Sequence, residues 1–188
     1  GQSEFGNDVF KVSVGAGPIK VMAWSQMHGN EATGTLALLE LLELLSSNPL
    51  DNVWSELTFV CVFMVNPDGA SKFTRRNGYN IDINRDAKAN SALETRLLND
   101  QINLENPDVA LNLHDQRNIF GVTGFGNPAT ISFLAPSYNR EREINECRKK
   151  CMLLISGVAD GLKQQVGNAI GKYSDEYYPT AFGEYISE

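Results

Sequence analysis

The stretch WSQMHGNEATG (24–34) sets His28 and Glu31 three residues apart on a Gly/Asn turn, directly after the apolar run IKVMAW. The one other histidine, His114, closes a second apolar run, NPDVALNL. An imidazole and a carboxylate on one turn can converge on a single point. Two histidines and a glutamate, with a fourth position left open, are the ligand set of a hydrolytic zinc site. Such an ion lowers the pKa of a bound water to about 7 and polarises a carbonyl. An HxxE spacing also arises by chance, and each histidine taken alone is better explained as a surface or hydrogen-bonded core residue. Their joint placement brings the metal reading level with that one. Both sit where a strand gives way to a loop, the edge at which open α/β sheets form sites.

Between the two histidines lies TRRNGYNIDINRD (74–86), with Arg75, Arg76, Asp82, Asn84 and Arg85 in one irregular segment. An arginine fork grips a carboxylate through two parallel hydrogen bonds. An aspartate beside a zinc-binding histidine commonly takes its other ring N–H and fixes the tautomer. Standing alone, the segment would read as a solvated loop of weak surface ion pairs.

Positioning such groups requires a scaffold, and the patterning describes one. Residues 9–14 and 19–24, joined by GAGP, predict a β-hairpin or two neighbouring strands. TLALLELLELLSSNP predicts a helix with a wide leucine stripe (36, 39, 42 and 45, flanked by 38, 41 and 44) closed by Pro49. LTFVCVFMV (57–65) suits a strand buried on both faces. NPDG then breaks the chain. Ser91 and Glu94 fit a capping box opening a helix, with Leu93, Leu97, Leu98 and Ile102 inward. NPDVALNL (106–113) reads as a turn then a strand, and a charged-then-apolar helix is expected from Asn139 to about Val166. Strands alternating with helices predict a single α/β domain with a mixed, mostly parallel central sheet flanked by helices.

The totals narrow the function classes. The chain has 188 residues, 42% hydrophobic and 21% charged, with a net charge of −7. That balance argues against a nucleic-acid partner, which needs a basic face for phosphates. No apolar run reaches the 18 or more residues of a membrane span. GQSEFGNDVF lacks a basic-then-apolar leader, so the expected location is the cytoplasm. The opening Gly1 points to an upstream or processed start. Of the three cysteines, Cys61 reads as a small buried hydrophobe, and Cys147 and Cys151 make neither a CxxC nor a Cys/His cluster. GNAIGKYS (167–174) misses the phosphate-loop spacing. GVTGFGNP, after His114, reads as a loop lining the cleft, and no G-x-S-x-G elbow is present.

HGNE (28–31), NPDG (66–69), RRN (75–77), DINR (82–85) and LNLHD (111–115) occur in the order seen in the zinc metallocarboxypeptidases, peptidase family M14. The chain resembles that family from its start to about Tyr185. The resemblance implies a single catalytic domain over 1–188, incomplete at its C-terminal end, and one Zn2+ held by His28, Glu31 and His114. It implies that Asp82 orients the first histidine, that Asn84 and Arg85 clamp a terminal carboxylate, and that Tyr178 touches substrate. Arg76 best matches the catalytic arginine that polarises the scissile carbonyl, with Arg75 the fallback. The family's general-base glutamate has no counterpart here. Glu184 and Glu188 in TAFGEYISE follow no β-like run and read as surface residues. The activity implied is removal of a C-terminal residue from a peptide. The alternatives are a zinc deacylase of N-acyl amino acids, resembling succinylglutamate desuccinylase and aspartoacylase, or an inactive carboxylate-binding domain. The expected partner is a peptide or N-acyl amino acid with a free carboxylate.

Overall fold

A computed structural model describes residues 1–47, 51–116, 119–122, 124–173 and 177–187. They form two compact units, Gly1–Asp115 and Gln116–Glu188. No helix among the described residues is long and apolar enough to cross a membrane.

The first unit is built on strands β1 (Phe10–Gly15), β2 (Ile19–Ser25), β3 (Leu57–Phe63) and β4 (Val109–Leu113). Their order in the sheet is β1-β3-β2-β4. β1 runs antiparallel to β3, while β2 lies parallel to both β3 and β4. The sheet is therefore mixed and mostly parallel, as expected. The expected pairing of β1 with β2 is not found, because β3 lies between them. β3 is the most apolar of the three, and only an interior position covers both of its faces. The GAGP turn crosses the start of β3, where Gly17 N–H bonds Leu57 O at 3.2 Å. A Cβ on Gly17 would lie 2.0 Å from the Glu56 carbonyl carbon, so the crossing admits only glycine.

Burial rises along both central strands. β2 passes from exposed Ile19 to fully buried Ala23 and Trp24, and β3 ends in buried Val60, Cys61 and Val62. Ala23, Cys61 and Phe63 share one face with Leu38 and Leu42 of helix α1 (Thr33–Ser47). Met22, Trp24, Val60 and Val62 alternate with them and belong to the other face. Burial pushes the Cys61 thiol up to about 11, so it acts as a hydrophobe. The leucine stripe of α1 is narrower than predicted. Leu38 and Leu45 are buried, whereas Leu36, Leu39 and Leu44 are exposed. A helix lying on one sheet buries a stripe little more than 100° wide, each fully covered leucine contributing about 1.5–3 kcal/mol. Pro49 lies outside the described residues.

Helix α2 (Asp51–Trp54) leads into β3, and α3 (Pro67–Ser71) follows it. Helix α4 (Leu93–Glu105) packs against β2 with Leu98 fully buried. The predicted capping box at its start does not form. Ser91 bonds Asp86 instead, and the Leu93 N–H bonds Glu4 Oε1 at 2.6 Å. Glu94 turns fully inward, where Asn77 Nδ2 (3.0 Å) and Glu4 N–H (3.2 Å) satisfy it. Two donors from outside the helix outweigh the local reach back to the cap.

In the second unit, strands β5 (Ile131–Phe133) and β6 (Ile170–Lys172) pair in parallel and are linked by helix α5 (Glu146–Val166). α5 begins seven residues later than the sequence predicts. Asn145 caps it by accepting the Arg148 N–H at 2.8 Å, and Arg142 just upstream has φ 60°, outside helical space. The short helix α6 (Phe182–Tyr185) buries Phe182 and, against expectation, Glu184. One turn of helix carries both residues into the unit's interior, and Glu184 is not a surface residue. Glu188 lies outside the described residues.

Candidate metal centre

β2 and β4 are adjacent and parallel, with Ser25 opposite Leu113. His28 and His114 therefore leave the sheet at the same edge, where carboxyl ends of parallel strands gather ligands. Their ring centroids lie 4.7 Å apart.

The HGNE turn is held rigidly. Glu31 N–H closes it on His28 O at 3.0 Å. Beneath it runs a buried polar chain: Ser25 Oγ to Thr35 Oγ1 (2.7 Å), Thr35 Oγ1 to Gln26 Oε1 (2.9 Å), and Gln26 Nε2 to Gly29 O (2.8 Å). Each unmet group there would cost about 1–3 kcal/mol, so the chain is complete. A Cβ on Gly29 would lie 2.1 Å from the Gly69 carbonyl carbon. The HGNE and NPDG turns thus touch backbone to backbone. Asn66 ties three segments together: its Oδ1 accepts the Gly69 N–H at 2.8 Å, and its Nδ2 donates to Met27 O (3.2 Å) and Arg75 O (3.3 Å). NPDG is therefore the bracket that sets the arginine loop against the histidine turn.

The loop 74–86 is folded around Asn77, whose Oδ1 accepts the N–H groups of Tyr79 and Ile81 at 3.1 and 2.9 Å. It delivers Asp82 to the far side of His28, with Nε2 and Oδ1 3.3 Å apart. The other ring nitrogen, His28 Nδ1, lies 2.9 Å from Glu31 Oε1. His114 Nδ1 lies 2.8 Å from Glu31 Oε2, and His114 Nε2 lies 3.3 Å from Asn84 Nδ2. Arg75 spans the group, its Nε donating to Asp82 Oδ2 at 3.0 Å and its Nη1 standing 3.6 Å from Glu31 Oε1.

His28, Glu31 and His114 each offer a ligand atom within 4.8 Å of the others. Zinc with bonds of about 2.0–2.2 Å needs ligand atoms roughly 3.3 Å apart. The two histidine contacts to Glu31, at 2.9 and 2.8 Å, are a little shorter than that, and the three ligand atoms together span no more than 4.8 Å, so small side-chain shifts would reach the spacing. Two nitrogens and one carboxylate, with Asp82 behind the first ring, fit zinc in donor chemistry and in outer support.

The two candidate arginines have different surroundings. Arg75 sits on Glu31 and Asp82, whereas the exposed Arg76 gives its Nη1 to Asn80 O at 3.0 Å. The bend at Arg75–Arg76 sends the two side chains to different partners, and the motif alone could not choose between them. Asn84 reaches His114, and half-buried Arg85 follows it on a 3-10 turn (Ile83–Arg85) with Nη1 2.8 Å from Asn84 O. Tyr178 belongs to the second unit and is exposed there. Missed in the sequence were Asn66 and Asn77, whose side chains fold the two turns. The only advance signal was Asn preceding Pro and Gly, a turn mark.

Burial opposes charge on all three central groups, and their partners reverse it. His28 is depressed by burial but raised above its ordinary value by its hydrogen bonds to Asp82 and Glu31. Glu31 is raised by burial and then held far below the carboxylate range by His114 and His28. Asp82 is likewise raised by burial and held low by His28 and the Arg75 charge. Without metal, the two flanking carboxylates favour the protonated form of His28 over its ordinary balance, against burial and the nearby Arg75 charge. Its stabilising effect is fully present below its unfolded pKa of about 6.5 and is lost as pH rises through the higher folded value. The melting temperature of the metal-free protein is therefore expected to fall as pH rises above about 6.5. Metal must displace that proton, so zinc affinity should weaken by up to tenfold per pH unit on acidification below the folded pKa. Calorimetric titration of zinc in two buffers of different ionisation enthalpy, together with melts at each pH, checks both signs. A pH-independent affinity would remove His28 from the ligand set.

Residues 7–91 match the family model described as zinc carboxypeptidase, a span holding every site residue named above except His114 and Tyr178. No curated protein sequence matches the chain. Among solved structures, a metallo-carboxypeptidase from Burkholderia cenocepacia matches with a TM-score of 0.72 and 18% identity, over 100% of this chain and 50% of its own. Carboxypeptidase A from Helicoverpa armigera matches at 0.74 and 16%, over 98% of this chain and 54% of its own. A murein-tripeptide amidase from Escherichia coli O157 matches at 0.59 and 17%, over 100% and 76%. Residues 7–91 are thus similar to the zinc carboxypeptidase family and the chain shares the fold of solved carboxypeptidases, spanning about half the length of the carboxypeptidase structures it matches.

Proposed function

We propose that this chain carries the zinc-binding and carboxylate-binding groups of a carboxypeptidase that hydrolyses the C-terminal amide bond of peptides. The observation that supports this most is the meeting of both histidine Nδ1 atoms at the two oxygens of Glu31, backed by Asp82. In this reading His28, Glu31 and His114 hold one zinc ion. When bound, it supplies Lewis acidity and a nucleophile at neutral pH. Asp82 accepts from His28 Nε2 and keeps Nδ1 free for the metal. Arg75, in place of Arg76, faces the carbonyl oxygen and meets the charge that develops only in the transition state. Asn84 and Arg85 hold the terminal carboxylate of the substrate, a charge-assisted contact of about 1.5–3 kcal/mol. Tyr178 retains the role of a substrate contact that its motif position suggests.

Arg85→Ala in the zinc-loaded full-length protein is expected to raise KM about 10–100-fold for N-blocked peptides with a free C-terminus. Release of the terminal amino acid, measured by chromatography, reads this out. C-terminally amidated peptides should resist cleavage by either protein. Cleavage of amidated peptides at the same rate would end the clamp assignment. Turnover of N-acyl amino acids without release from peptides would move the activity to a deacylase.

A further inference from the structure

A second feature adjoins the candidate site and is unused by the reading above. Lys72, Thr74, Arg75, Arg76, Asn77 and Asn80 are among the residues lining a hollow of about 310 Å³. Three of these six are cations, on a chain whose net charge is −7. Arg75 is occupied by Asp82 and Glu31, but among the described residues neither Lys72 nor Arg76 pairs with a carboxylate. Both cations are nonetheless held in place. Lys72 Nζ stands 5.2 Å from the ring centre of Phe5, and Arg76 Nη1 is fixed on Asn80 O at 3.0 Å. The Phe5 ring is itself set edge-to-face on Tyr79 at 5.3 Å. Two positioned cations lining one hollow, neither paired with a carboxylate among the described residues, favour an anion there.

The hollow has a defined relation to the metal ligands. Arg75 lines it and also contacts Glu31 and His28. Asn84 reaches the same triad through His114. A substrate whose terminal carboxylate lies at Asn84 and Arg85, and whose scissile carbonyl faces Arg75, extends its preceding residues toward Lys72 and Arg76. We propose that this hollow is a subsite for an acidic side chain on the amino side of the cleaved bond, so that the substrates are peptides carrying Glu or Asp there. This assignment rests on the carboxypeptidase reading for its direction, but the charge-matched hollow can be tested by itself.

The test uses zinc-loaded protein and two capped peptides that have no free carboxyl end, acetyl-Glu-Glu-Glu-amide and acetyl-Gln-Gln-Gln-amide. Calorimetric titration should show the glutamate peptide binding at least about tenfold more tightly. The Lys72→Gln/Arg76→Gln double variant, both changes at exposed positions, should bring the two to the same level. Equal binding in the parent protein, or a preference that survives the double variant, would overturn the subsite. A second arm compares kcat/KM for N-blocked peptides with Glu or Gln immediately before the cleaved bond, where a preference of similar size should flatten in the variant. Hydrolysis with no such preference sinks the subsite and keeps the carboxypeptidase. Charge-dependent binding, lost in the variant but without hydrolysis, keeps the subsite and sinks the carboxypeptidase.

Discussion

Replacing His114 by alanine is expected to strip the protein of stoichiometric zinc and, with it, of amide hydrolysis. Among the described residues, His114 offers one of the three candidate ligand atoms, within 4.8 Å of those of His28 and Glu31. Loss of an outer-sphere partner alone costs about 10–100-fold in metal affinity, so loss of a direct ligand should exceed 100-fold. The effect should not come through unfolding. The His114 side chain is 31% exposed, beyond the end of β4, and contributes little to the core. Elemental analysis after dialysis, alongside circular dichroism and a melt of the metal-free variant, separates the two causes. An unchanged zinc content in folded His114→Ala would remove this residue from the centre and leave no third ligand in the cluster.

Arg75→Ala should lower kcat by about 100–1,000-fold at saturating zinc, the range for removing one donor that meets an oxyanion (roughly 2.7–4 kcal/mol). The loss belongs in kcat because the interaction strengthens only as charge builds on the carbonyl oxygen. The structure makes this a sharp choice between neighbours. The Arg75 guanidinium is held by Asp82 at 3.0 Å beside Glu31, and Arg76 is engaged by Asn80. Since Arg75 also braces Asp82, zinc affinity must be measured in parallel, and Arg75→Lys should restore part of the bracing without the planar fork. A kcat loss found at Arg76 and not at Arg75 would reverse the assignment.

Some of this was readable from residue order. His28 and Glu31 share one turn, so their convergence is local geometry. Asp82, Asn84 and Arg85 lie within four residues, and their common loop needs no knowledge of the fold. Strand identities followed from short apolar runs bounded by turn residues, β3 being continuously apolar, and helix identities from leucine spacing. The failures have one origin. The N-terminal Glu4 displaced the Ser91–Glu94 capping box, β3 entered between β1 and β2, and Arg142 and Asn145 postponed α5. In each case a partner distant in the chain, or a local backbone preference, outweighed periodicity.

Residue types and short spacings alone determined the kind of chemistry, since a donor set of two imidazoles and one carboxylate is a property of the side chains themselves. Only the tertiary structure decided that the centre is assembled. His114 lies 83 residues beyond Glu31, and nothing short of the parallel pairing of β2 with β4 brings it to that carboxylate. The same holds for which of Arg75 and Arg76 stands beside Asp82 and Glu31, and for the gathering of Lys72 and Arg76 at the adjoining hollow. Contacts between distant segments carry no trace in local periodicity, and they exist only once burial of the sheet has set the strand order.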